Sequence, residues 1–143
     1  MIQHSERSRA PNIALFSFPY PSPARLVLLM SLVSLLAPLC NRLYIVSAID
    51  SSYLAKLRTY VPKNNQGRVY VVNIPKKLPR LSIFSVKYVH NWISSYISIQ
   101  VMFFAYSIKL INRVDIAFFF VGIRDFIPLM IYMKLHGVKI VWY

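Results

Sequence analysis

Apolar residues in this chain gather in short unbroken runs rather than alternating with polar ones. The runs are "NIALFSF" (Asn12 to Phe18), "RLYIVSAI" (Arg42 to Ile49), "RVYVVNI" (Arg68 to Ile74), "DIAFFFV" (Asp115 to Val121) and "VKIVWY" (Val138 to Tyr143). Each is too short for a helix that must bury itself, and most are rich in β-branched or aromatic residues, so each predicts a strand. A strand that is apolar on both faces is buried on both faces. That is the property of a parallel sheet covered by helices on each side.

The intervening segments supply helices. Pro23 suits a first helical turn with Ser22 as N-cap, and "PARLVLLMSLVSLLAPLC" continues as a helix that is apolar nearly all round until Pro38 and Asn41. "IRDFIPLMIYMKLHG" predicts another, with Asp125 as N-cap, Pro128 in the first turn and Gly137 just past the end. Asp50 to Gly67 is polar and predicts a loop holding at most one short helix. Residues 1–11, "MIQHSERSRAP", predict a disordered basic tail. Strand and helix order thus predict one α/β domain over residues 12–143, with a mostly parallel sheet in the order 3-2-1-4-5, helices on both faces and right-handed crossovers.

Leu81 to Asn112 needs separate treatment. The 21 residues from Tyr88 to Ile108 are uncharged, a length that can span a bilayer. They include His90, Asn91, Gln100 and several serines, and polar positions recur at 87, 91, 94/95 and 98. Val86, Val89, Ile93, Ile97, Val101 and Phe104 form the opposite face. This pattern fits an amphipathic helix better than a lipid-immersed one. Such a helix either covers the sheet or touches a membrane surface.

Charge sharpens the second option. Lys and Arg number 17 and the acids four, for a net charge of +13. That balance favours polyanionic partners, lipid or nucleic acid. No nucleic-acid recognition motif is present, so no nucleic-acid partner is expected. The cluster "PKKLPR" predicts a membrane contact through Lys76, Lys77 and Arg80, with Lys87 and Trp92 nearby. The chain is therefore expected to be cytoplasmic and peripheral to an anionic membrane surface. The alternative is a small basic membrane protein with one or two spans and no catalysis.

Candidate chemistry is sparse. Cys40 is the one cysteine, so an intrachain disulfide and a zinc cluster are excluded, and a buried apolar role suits it. His4, His90 and His136 lack metal-ligand spacing, so no metal is expected. Gly67, Gly122 and Gly137 form no phosphate-binding fingerprint, and no cofactor is expected. Two stretches remain, each following a predicted strand and opening a predicted helix: "YPSPAR" (Tyr20 to Arg25) and "GIRDF" (Gly122 to Phe126). Helix N-termini there offer free N–H groups and a positive dipole to an anion. The candidate ligand-binding residues are Tyr20, Ser22, Arg25, Gly122, Arg124 and Asp125. The plain alternative leaves Asp125 as a cap and both arginines solvated. No catalytic residue can be assigned.

The pattern over residues 12–143 resembles the N-terminal, acceptor-side domain of a GT-B glycosyltransferase of family 4. The likeness lies in "NIALFSFPYPSPARLVLLMSLVSLL", "NRLYIVS", "NRVDIAFFFVG" and "LHGVKIVWY". The resemblance implies a Rossmann-like fold, a lipid-linked sugar or glycan acceptor at the candidate residues, and a donor-binding domain elsewhere. Glu6 is the one glutamate, whereas the family's donor domain uses a paired-glutamate motif. The resemblance therefore implies a truncated or split enzyme, inactive without a separate donor-domain chain.

Overall fold

The computed structural model describes residues 9–17, 23–47, 51–74, 97, 100–120 and 126–142. Five strands form one sheet: β1 (Asn12–Ser17), β2 (Arg42–Ser47), β3 (Val69–Asn73), β4 (Ile116–Phe120) and β5 (Lys139–Trp142). Their spatial order is β3-β2-β1-β4-β5. Every neighbouring pair is parallel, so the sheet is wholly rather than mostly parallel. The predicted disordered tail falls, for residues 1–8, outside the described residues.

Helices cover both faces. On one face lie α1 (Pro23–Leu36) and α2 (Ser51–Tyr60); on the other lie α3 (100–108) and α4 (Ile127–Leu135). The period-2 alternation of each strand divides its side chains between two cores. Ile13, Leu15, Leu43 and Ile45 meet Leu26, Leu29, Met30 and Val33 of α1. Ala14, Phe16, Val46, Ala117 and Phe119 meet Phe103 of α3 and Leu129 and Met133 of α4. The apolar runs are continuous because each strand interior supplies both cores.

The second core is centred on aromatic rings. Phe16 stacks on Phe119 at a centroid distance of 4.6 Å and 10° between planes. Phe126 meets Phe103 edge-on at 4.9 Å. All four rings are buried. Each fully buried ring contributes about 1.5–3 kcal/mol by transfer from water, and well-oriented pairs add about 0.5–1.5 kcal/mol.

Three sequence expectations are sharpened or changed. The one short helix allowed for in the Asp50–Gly67 loop is the ten-residue α2, followed by a 3-10 turn at Lys63–Arg68. Leu57 and, four residues on, Val61 are buried against the α1 core. Tertiary burial of this kind supplies most of the stability of a short helix. The second change concerns α3. Its buried row is Phe103, Ser107 and Leu110, whereas Ile97 and Val101, assigned to its apolar face, are exposed. The third concerns the start of α4. Its N-cap residue is Phe126, with no side-chain cap hydrogen bond, so Asp125 is not the N-cap.

The end of α4 follows the expectation. Gly137 has φ +81°, the left-handed region that favours glycine. The Gly137 N–H donates to the Lys134 carbonyl and the Val138 N–H to the Met133 carbonyl, each at 3.1 Å. This pair of bonds is a Schellman motif, and Val138 and Met133 join the same core, its usual hydrophobic partner contact.

Candidate functional site at the carboxyl edge of the sheet

From β1 the chain winds outward through β2 to β3, then crosses back to β4 and continues to β5. The direction of winding therefore reverses between β1 and β4. Ser17, the last residue of β1, lies opposite Phe120, the last residue of β4. The segments leaving these two strands thus start side by side. In open α/β sheets, ligands bind outside the carboxyl ends of the strands at such a reversal.

The base of this edge carries a polar pair inside the core. The Ser17 hydroxyl donates to the Ser47 hydroxyl at 2.6 Å, and both side chains are buried. The Ser47 carbonyl accepts from the Ile74 N–H at 3.0 Å, tying the end of β2 to the residue after β3. Sequence reasoning missed this pair. Its signal was available: a serine stands at Ser17 and at Ser47, late in each of two otherwise apolar runs. A buried hydroxyl must find a partner, and each serves the other.

Of the sequence-predicted ligand residues, Tyr20, Ser22, Gly122, Arg124 and Asp125 lie outside the described residues. Arg25 belongs to the first turns of α1, at the same edge. The predicted membrane-contact residues Lys76, Lys77, Arg80, Lys87 and Trp92 also lie outside the described residues. What the structure does show is that the strands preceding "YPSPAR" and "GIRDF" are neighbours, with Ser17 opposite Phe120.

The opposite edge is built differently. The Asn12 N–H donates to Asp115 Oδ2 at 2.7 Å, and the Asp115 N–H donates back to the Asn12 carbonyl at 2.9 Å. The Asp115 carbonyl accepts from the Lys139 N–H at 3.0 Å. The Asn41 side-chain amide donates to Asn12 Oδ1 at 3.1 Å. Asp115 therefore leads its apolar run as a clamp between β1, β4 and β5. A polar cavity of about 530 Å³ opens here, with Arg113, Asp115, His136 and Lys139 in its wall. It lies at the amino ends of the strands, where this architecture places stability rather than ligands.

Two further groups have defined roles. Cys40 is buried, and burial pushes its thiol up from the ordinary value. Its Sγ donates to the Ala37 carbonyl at 3.7 Å. A neutral buried thiol is a packing residue, not a nucleophile. Among the described residues, no three His, Cys, Asp or Glu side chains gather in a group that could hold a metal. Among them, too, no helix is long and apolar enough to cross a membrane.

No family model matches the chain, and no curated protein matches it. Solved structures do. Two crystal structures of the C-terminal domain of PF1911 hydrogenase from Pyrococcus furiosus superpose with TM-scores of 0.56 (residues 83–215) and 0.57 (residues 78–226). Each is 12% identical in sequence and covers 94% of this chain and 92% of its own. At that identity the likeness shows the fold alone. It does correct one expectation. The resemblance to a family 4 glycosyltransferase does not hold: the structural neighbours are domains of a hydrogenase, and nothing among the matches indicates a glycosyltransferase. What the residues of that pattern encode is the shared Rossmann-like sheet, with its strand–helix order and glycine-ended last helix.

Proposed function

We propose that this chain is a ligand-binding α/β domain that takes a phosphorylated or otherwise anionic small molecule at the carboxyl edge of its sheet. The observation that carries the reading is the reversal between β1 and β4, with Ser17 and Phe120 side by side at the ends of the two strands. Two arginines, Arg25 and Arg124, belong to those segments, and Tyr20 and Ser22 add hydroxyl groups. Gly122 lets the backbone approach the ligand without a Cβ. Asp125 adds a carboxylate that would accept a ligand hydroxyl. The net charge of +13 draws an anion toward the whole molecule, and the two segments give it a place to stop.

The test is equilibrium binding of inorganic pyrophosphate and a panel of nucleoside diphosphates at about physiological salt, where long-range attraction is screened. A charge-assisted contact is worth about 1.5–3 kcal/mol, so Arg124→Ala should weaken the best ligand about tenfold or more. Equal affinity in the variant removes this site.

We also propose a peripheral contact with an anionic membrane from the cytoplasmic side. Ile97, Val101 and Ile108, exposed along α3, support it. Lys76, Lys77, Arg80, Lys87 and Trp92 precede that helix and supply headgroup contacts of about 1 kcal/mol per basic residue. High-salt or carbonate washing should release the protein from membranes; retention until detergent is added would refute the peripheral reading.

A further inference from the structure

The two outer strands of the sheet are unlike. At the β3 edge, Val69, Val71 and Val72 are half-buried, and the exposed Tyr70 ring stacks on Tyr44 at 5.5 Å. At the β5 edge, apolar side chains stand in solvent. Among the described residues, β5 pairs with β4 alone. Its register with β4 runs unbroken from Lys139 to Trp142, and it contains no proline. An unpaired, regular, apolar edge of this kind is a template for another strand.

The side chains beside it show what that strand must look like. Ile140 and Trp142 point to the α4 face, where they form a groove of about 410 Å³ with Ile127, Met130, Ile131 and Lys134. Trp142 is 57% exposed and Ile131 56%, high for large apolar groups that share one groove. The alternate residues Lys139 and Val141 point to the other face. Lys139 is exposed there, and Lys134 is the charged residue of the groove. Asp115 is the one acid among the described residues, so the charge of this edge is unbalanced.

We propose that the β5 edge is a docking site for an extended, alternating apolar and acidic segment of a partner protein, added as a sixth strand. Its apolar residues enter the groove against Ile131 and Trp142. Its alternate, acidic residues fall on the opposite face beside Lys139. Backbone hydrogen bonds to β5 give affinity, and the two faces give specificity. A second copy of this chain fits poorly, because two molecules of charge +13 would repel and Lys139 would meet no acid.

The probe is a labelled, end-capped eight-residue peptide of alternating Val and Glu, titrated into the whole chain and read by fluorescence anisotropy. It should bind saturably with one peptide per chain, and the matching Val–Lys peptide at least tenfold more weakly. Ile131→Asp and, separately, Trp142→Ala should each weaken binding about tenfold or more while the circular dichroism spectrum stays unchanged. The double variant Lys134→Glu, Lys139→Glu should reverse the preference between the two peptides. Equal binding of both peptides by the wild type, or unchanged affinity in Ile131→Asp and Trp142→Ala, would overturn the proposal. So would a concentration-dependent dimer in sedimentation that Ile131→Asp dissolves, since a second copy would then own this edge.

Discussion

The two ends of the sheet are made from the same five strands and yet do opposite things. At the amino end, Asn12, Asp115, Asn41 and Lys139 knit β1, β4 and β5 with hydrogen bonds of 2.7 to 3.1 Å. The connection from α4 to β5 there is short: His136, Gly137 and Val138. At the carboxyl end, the Ser17 hydroxyl donates to the buried Ser47 hydroxyl, and Ser17 and Phe120 end adjacent strands side by side. The contrast teaches that polar residues at a strand end are not equivalent. Asp115 leads an apolar run, and its carboxylate accepts from the Asn12 N–H. Arg124, which follows β4 in the sequence, is the residue proposed to hold the anion.

This contrast can be broken in several places. The largest effect is expected from Phe119→Ala, which removes the ring stacked on Phe16 beneath the carboxyl end. A buried Phe→Ala change costs about 3–5 kcal/mol, and urea denaturation should show it as a lower midpoint with little change in slope. Arg124→Ala comes next: a loss of anion affinity of about tenfold or more, with an unchanged urea midpoint. Asp115→Ala should give the mirror image. It leaves the Asn12 N–H without its carboxylate, at a cost of about 1 kcal/mol, and anion affinity should not move. If Asp115→Ala lowers affinity and Arg124→Ala lowers stability, the assignment of the two ends is reversed.

The smallest effects sharpen the comparison at single residues. Gly137→Ala places a side chain at φ +81° and should cost about 1–2 kcal/mol, again at the amino end and without effect on binding. Cys40 should alkylate slowly with iodoacetamide at pH 8 and rapidly in urea. Its folded thiol lies above the unfolded value because burial disfavours the thiolate. The resulting contribution to stability is complete below the unfolded thiol's value and is lost as pH rises through the folded one.

The sheet could be read from the sequence because its signal is dense. "NIALFS", "RLYIVS" and "IAFFF" are unbroken apolar runs, and two cores need nothing more. Gly137 could be read because one backbone conformation demands it. Helix α2 was legible only as a possibility, since serine, lysine, arginine and threonine are interleaved with its apolar residues and blur the period. The inner face of α3 was misassigned for a related reason. The sequence offers Ile and Val on one side and Phe103 with Ser107 on the other, and only the packing shows that the ring outweighs the count of aliphatics. Ser17 and Ser47 each stand out as a serine late in an apolar run, but their pairing does not, because the partners are 30 residues apart in sequence. The glycosyltransferase resemblance failed at a different level. It rested on strand–helix order, which specifies a fold shared by many activities.

Anion binding is proposed for the carboxyl end of the sheet, not the amino end. An amide correlation spectrum of the isotope-labelled chain, titrated with inorganic pyrophosphate at about physiological salt, measures that directly. Shifts should concentrate at Ser17, Ser47 and Phe120, saturate together, and vanish in Arg124→Ala. Shifts centred on Asn12, Arg113, Asp115 and Lys139 at the amino end, with the carboxyl end silent, would contradict it.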